Sequence, residues 1–125
     1  MTARKSLSVL ILEDSDLIRS RLCSLVGEVS AVKFVELCRD VPEALQACAT
    51  VKPDVAIIDL RLPSGSGIEV LDHLKATLPS CVTIVLTSLG GASIRRGCLD
   101  RGADYFFNKA TEFERVAEVL ASLAK

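Results

Sequence analysis

The chain contains no tryptophan, and aromatic residues make up only 4% of its 125 positions. Its core must therefore be aliphatic. Long apolar runs are also missing: stretches such as Val9 to Leu12 fall far short of the roughly 20 residues a membrane helix needs. The opening, Met1 to Ser6, is polar and lacks the apolar segment and small-residue cleavage site of a secretory signal, so a cytoplasmic location is expected. There is no excess of either charge, with 15 basic residues against 16 acidic ones and a formal charge of −1. A field of that kind gathers neither nucleic acid nor anionic membrane, and direct binding to either is not expected. The five cysteines, Cys23, Cys38, Cys48, Cys81 and Cys98, include no CxxC pair. Each falls within an apolar pattern, and the set reads as buried thiols in a reducing compartment rather than disulfides or metal ligands. No internal repeat, low-complexity segment or linker interrupts the chain, and its length suits one domain over residues 1–125.

Against these absences stand five short apolar runs rich in strand formers: Leu7 to Leu12, Ala31 to Cys38, Val55 to Leu60, Val82 to Thr87 and Tyr105 to Asn108. Val55-Ala56-Ile57-Ile58 does not alternate, as expected of a strand covered on both faces. Between the runs, apolar residues recur at helical spacing: Ile18, Leu22, Leu25 and Val26, then Val41, Ala44, Leu45 and Cys48, then Ile68, Leu71, Leu74 and Leu78. A weaker helix is predicted from Ala92 to Arg101, and a last one from Thr111 onward striped by Phe113, Val116, Ala117 and Leu120. Asp40 reads as a helix cap with Pro42 in the first turn. Five strands alternating with five helices predict an α/β fold, a doubly wound parallel sheet covered on both sides. Ligands of such sheets bind beyond the carboxyl ends of the strands, where strand order reverses.

The strand ends, taken in order, carry Glu13-Asp14, Asp59, Thr87 and Lys109. Three carboxylates brought together repel one another and raise one another's pKa unless a cation intervenes. Mg²⁺ is the natural candidate, since it takes oxygen ligands from one or two carboxylates together with a phosphate. One carboxylate can then attack a phosphoryl group as an aspartyl nucleophile, while the lysine and the hydroxyl stabilise charge on the transferred oxygens.

The segments Val9-Leu10-Ile11-Leu12-Glu13-Asp14, Ile57-Ile58-Asp59-Leu60-Arg61-Leu62-Pro63-Ser64-Gly65-Ser66-Gly67, Ile84-Val85-Leu86-Thr87-Ser88 and Phe106-Phe107-Asn108-Lys109 resemble, in order, the motifs of response-regulator receiver domains. The resemblance implies a flavodoxin-like sheet of order 2-1-3-4-5. It implies that Asp59 accepts a phosphoryl group from a sensor histidine kinase or histidine phosphotransfer protein, and that Mg²⁺ is held by Glu13, Asp14, Asp59 and the backbone carbonyl of Arg61. Thr87 and Lys109 match residues that contact the phosphoryl oxygens, and Phe106 matches an aromatic whose rotamer follows phosphorylation. It further implies a signalling phosphoacceptor that catalyses only its own phosphorylation and dephosphorylation. The output would be a downstream protein or fused domain reached through the face of the fourth helix, fifth strand and fifth helix, with homodimerisation as an option. Arg61 and Leu89 are large enough to obstruct an attacking water, so a long-lived phosphorylated form is expected.

One position departs from the family pattern. Ala110 follows the lysine where a proline with a cis peptide is usual, and a cis bond before a non-proline residue costs about 2.5 to 4 kcal/mol, which leaves the geometry after Lys109 open. Other readings compete. Aspartyl phosphohydrolases on related folds place a second aspartate two residues after the nucleophile, where this chain has Arg61. A flavin carrier would need a hydroxyl- and glycine-rich loop after the first strand, where Glu13-Asp14 would repel phosphate. A receiver-like interaction module that no longer takes phosphate is opposed by the intact Asp59, Thr87 and Lys109. His73 reads as a surface residue, Arg95-Arg96 as a solvated basic spot, and Gly65 and Gly67 as turn formers. No linker begins before Lys125, which favours a stand-alone regulator over one with an output domain.

Overall fold

The computed structural model describes residues 6–63 and 65–124. Its elements are β1 (Leu7–Leu12), α1 (Asp16–Gly27), β2 (Val32–Cys38), α2 (Val41–Val51), β3 (Val55–Ile58), β4 (Arg61–Leu62), β5 (Gly65–Ser66), α3 (Ile68–Thr77), β6 (Val82–Thr87), α4 (Ala92–Asp100), β7 (Tyr105–Asn108) and α5 (Arg115–Leu123). Five strands form one parallel sheet of order β2-β1-β3-β6-β7, the expected order once the two-residue hairpin β4–β5 is set aside. That hairpin pairs Arg61 with Ser66 and Leu62 with Gly65 inside the segment expected to be a loop.

Alternation along each strand divides the core in two. Leu10, Leu12, Ala56, Ile58, Val85 and Phe106 face α2, α3 and α4, together with Val41, Ala44, Leu71, Leu74 and Cys98. Val9, Ile11, Val55, Ile57, Ile84 and Leu86 face α1 and α5, against Leu22, Val26, Val116 and Leu120. Every residue of β3 is buried, which is why its sequence shows no alternation. Side-chain caps start two helices: the Ser15 hydroxyl accepts the Ile18 N–H, and the Asp40 carboxylate, as expected, accepts the Glu43 N–H at 2.9 Å with Pro42 in the first turn. Two further aspartates pin strand starts. Asp54 accepts both the N–H and the hydroxyl of Ser8, at 2.9 and 3.2 Å, and Asp104 does the same for Thr83 at 2.8 and 3.2 Å.

The structure corrects several sequence expectations. The last helix begins at Arg115 rather than Thr111, because residues 111–114 form turns bonded to the end of β7. Helix α3 buries Val70 with Leu71 and Leu74, whereas Leu78 lies past its end with non-helical backbone angles. Cys23 is only partly buried, since it sits on the flank of α1 next to Leu22; Cys38, Cys48, Cys81 and Cys98 are buried as expected. Helix α4 is held least: Cys98 is its one buried residue, with Ile94 packed partly against the core.

Burial pushes the Cys38 and Cys81 thiols up to about 12 from 9.0. A thiol that ionises in the unfolded chain but not in the fold leaves stability intact below pH 9 and withdraws it as pH rises toward 12, at up to about 1.4 kcal/mol per pH unit for each thiol. Thermal melts from pH 8 to 11 should show this decline, and a Cys38→Ala, Cys81→Ala variant should show a shallower one. With an alkylating reagent at neutral pH, the folded chain should be modified first at Cys23, and mass mapping that finds Cys38 or Cys81 reacting as fast would contradict this burial.

Candidate functional site

Strand register creates the site. Leu12 pairs with Ile58 across β1 and β3, so the residues after them, Glu13 and Asp59, emerge side by side where strand order reverses. Three of the candidate residues extend the ladder by one bond to the neighbouring strand. Glu13 N–H donates to Cys38 O, Asp59 N–H to Leu12 O and Lys109 N–H to Thr87 O, each at 3.0 Å. The positions of three candidate side chains are thus set by the sheet rather than by a loop.

Glu13 and Asp59 are only 2% and 5% exposed, so their charges are largely withdrawn from water. The Lys109 ammonium lies between them and donates to Glu13 Oε1 at 2.7 Å and to Asp59 Oδ2 at 2.9 Å. Burial alone would lower the lysine pKa, but these two hydrogen bonds and the carboxylate charges together raise it above its ordinary value. Glu13 Oε2 accepts the Ser15 N–H at 2.9 Å, so both of its oxygens are satisfied. Asp59 Oδ1 is buried with no hydrogen-bond partner. A buried anionic oxygen left in that state is costly unless an electrophile or cation completes it. Arg19 braces the acidic turn from α1, donating from Nη1 to the carbonyls of Glu13 and Asp14 at 2.9 and 3.4 Å.

These groups open on a shallow cleft of about 380 Å³ lined by Glu13, Asp14, Ser15, Asp59, Arg61, Leu62, Pro63, Ser88 and Lys109. Carboxylate oxygens of Glu13, Asp14 and Asp59 all lie within 4.8 Å of one another, and Asp14 is exposed. The donor set is all oxygen, one of its buried oxygens is unpartnered, and it faces solvent on one side. Such a set suits a hard, partly hydrated cation such as Mg²⁺.

Other expected residues are placed less directly. Thr87 is fully buried at the end of β6, its hydroxyl accepting the Leu89 N–H at 3.2 Å, and Ser88 rather than Thr87 lines the cleft. Phe106 is buried on the α2–α3–α4 side of the sheet, and Leu89 packs against the same cluster. The Lys109–Ala110 peptide is trans, as are all peptides among the described residues, which answers the question left by the missing proline. Sequence reasoning missed Arg19, Ser88 and the part played by Asn108, whose side chain accepts the N–H groups of Ala110 and Thr111.

Lys109 is the only cation in contact with the buried pair among the described residues. Lys109→Met should therefore cost about 3 kcal/mol at neutral pH by urea denaturation, because it leaves two adjacent buried carboxylates unpaired. Adding Asp59→Asn to that variant should recover part of the loss, and full additivity of the two changes would contradict the pairing.

The family described as "Response regulator receiver domain" matches residues 9–121. A cyclic di-GMP phosphodiesterase from Thermotoga maritima is 35% identical over 108 residues, covering 86% of this chain but 28% of that protein. Chemotaxis protein CheY from Listeria monocytogenes is 29% identical over 119 residues, covering 95% of this chain and 99% of that one. The crystal structure of the response regulator domain of Thermotoga maritima CheB superposes with a TM-score of 0.81 at 28% identity, over 95% of this chain and 94% of that one. Among curated relatives the chain thus spans from about a quarter of one protein to nearly the whole of another. With the family match running almost from end to end and the acid–lysine constellation at the strand ends, the chain belongs to the response regulator receiver domains of two-component signalling.

Proposed function

We propose that residues 1–125 act as one receiver domain whose phosphoacceptor is Asp59. The observation that carries this reading is the buried, unpartnered Asp59 Oδ1 at a cleft that also presents Glu13, Asp14 and Lys109. Lys109 holds Asp59 Oδ2 and so fixes the plane of the carboxylate, leaving Oδ1 as the nucleophile. The donor is the phosphohistidine of a sensor kinase or histidine phosphotransfer protein. Oδ1 forms a bond to phosphorus as the P–N bond breaks, and the electron pair of that bond leaves with the imidazole, giving an aspartyl phosphate. The Lys109 ammonium stabilises the added charge. The Thr87 hydroxyl spends a lone pair on the Leu89 N–H, which leaves its proton free for a phosphoryl oxygen. Glu13, Asp14, Asp59 and the Arg61 backbone carbonyl would hold Mg²⁺, which would neutralise charge on the carboxylates and the phosphoryl oxygens.

The signal leaves through α4, β7 and α5 to a downstream protein or fused domain. Helix α4 has one buried residue, and its Arg95 donates to the carbonyl of the switch candidate Phe106 at 3.4 Å. An element held this weakly is shifted by modest energy.

Incubation with a small acyl phosphate and Mg²⁺ should add one phosphoryl mass to the chain. Asp59→Asn should abolish the gain, and excess chelator should stop it without unfolding the chain; label retained in the variant at the normal rate would refute the assignment. Amide exchange with and without a stable phosphoryl mimic should change most between Thr87 and Phe107. A change confined to the loop after Asp59 would point to another output surface.

A further inference from the structure

We propose that Asn108, supported by Glu112, is the positioning residue for Lys109. The inference rests on the reading of Asp59 as phosphoacceptor and of Lys109 as the cation that meets the phosphoryl group. A lysine side chain has four rotatable bonds, so where its ammonium goes depends on how firmly its own backbone is held. Lys109 must deliver Nζ into the space between Glu13 and Asp59, at 2.7 and 2.9 Å. On one side its backbone is fixed by the Lys109 N–H bond to Thr87 O at 3.0 Å. On the other side the sheet has ended, and α5 does not begin until Arg115. The intervening turn needs another anchor.

Asn108 provides it. Its Oδ1 accepts the Ala110 N–H at 2.8 Å and the Thr111 N–H at 3.1 Å, tying the residue before the lysine to the two residues after it. Asn108 is in turn fixed by Glu112. Strand β7 is an edge of the sheet, and because the Lys109 N–H points toward β6, the Asn108 N–H points off that edge. It donates to Glu112 Oε1 at 3.0 Å, while the Glu112 N–H donates to Asn108 O at 2.8 Å. This reciprocal pairing of side chain and backbone works as a capping box does, with the lysine enclosed inside it. The Asn108 N–H, with Arg115 alongside at 2.9 Å, holds the Glu112 carboxyl below its ordinary pKa, so the acceptor is ionised at neutral pH.

The arrangement also accounts for Ala110. A proline there would have no N–H to give to Asn108 Oδ1. Asparagine at 108 and a residue with an N–H at 110 therefore belong together as one way of fixing the turn after the lysine.

The test uses the full chain with a small acyl phosphate and Mg²⁺, following phosphoryl mass against time. Asn108→Ala should lower the saturating rate about tenfold, as a displaced catalytic group does, while the half-saturating donor concentration changes little. Asn108→Asp keeps an oxygen that accepts both N–H groups and should return the rate to near wild type. In a Lys109→Ala background, Asn108→Ala should slow labelling no further. The Lys109 Nζ resonance should shift or broaden in Asn108→Ala and recover in Asn108→Asp. The proposal is overturned by a wild-type rate in Asn108→Ala, by Asn108→Asp being as slow as Asn108→Ala, or by an equal slowing in the Lys109→Ala background. A wild-type chain that takes no label would instead defeat the phosphoacceptor reading, and the Lys109 resonance would still decide whether Asn108 positions the lysine.

Discussion

Parallel pairing of β1 with β3 brings Glu13 and Asp59 out of the sheet as neighbours, both almost wholly withdrawn from water. Two like charges so placed destabilise the fold unless something stands between them. Lys109, reaching across from the far edge of the sheet, is what makes the arrangement tolerable. Its effect is unequal: Glu13 is completed by Lys109 and the Ser15 N–H, whereas Asp59 retains one open oxygen. The same ion pair that permits two buried acids therefore leaves one of them incomplete and oriented. In that sense the reactivity proposed for Asp59 follows from the way its charge is accommodated.

The support for Asp59 extends into the core through Gly67. A Cβ at this position would stand 2.0 Å from the Asp59 carbonyl oxygen and 2.6 Å from Ile58 Cγ2, which no side chain can satisfy without moving β3 or α3. Its φ of −59° is ordinary, so the requirement is one of space and not of backbone freedom. The Gly67 N–H donates to Leu60 O, and α3 then starts directly against the strand that leads into Asp59. Val70, Leu71 and Leu74 lock that helix into the cluster that also holds Ile58. Asp59 is fixed by its ladder bond to Leu12 on one side and by a helix seated on its own backbone on the other.

Much of this was legible in the sequence because parallel strands buried on both faces appear as unbroken apolar runs, and polar residues at their ends fall on one edge of the sheet. Glu13, Asp14, Asp59 and Lys109 were found that way, and the structure brings them to one cleft. Periodicity could not show where α5 starts. The apolar stripe reaches Phe113, yet the backbone of residues 109 to 114 turns around the Asn108 and Glu112 side chains, and such local side-chain bonds compete with helix without altering the apolar pattern. The partial exposure of Cys23 was hidden for a related reason: a small thiol beside an apolar stripe looks the same whether it faces inward or along the flank. Nor could one sequence show that Ser88 rather than Thr87 would line the cleft, since the last residue of a strand faces one side of the sheet and the next residue the other.

Thr87 stands where the site meets the weakest part of the fold. Its carbonyl accepts the Lys109 N–H, and its hydroxyl accepts the Leu89 N–H at the entrance to the loop before α4. One residue is thus bonded both to the backbone of Lys109 and to the segment that sets where α4 begins. Beyond Leu89 that segment has Gly90 and Gly91 in succession, the latter at a φ of 109°, where a residue with a side chain would be strained. Helix α4 then meets the body of the protein through Cys98, Ile94 and the Arg95 bond to Phe106 O. An event that moves the Thr87 hydroxyl toward a new acceptor pulls on its bond to Leu89, and few contacts of α4 resist the disturbance. The Lys109 backbone at the sheet edge and the loop that leads into the loosely held helix are therefore joined through the bonds of a single threonine. This gives the proposed signalling route a physical starting point that needs no movement of the sheet itself.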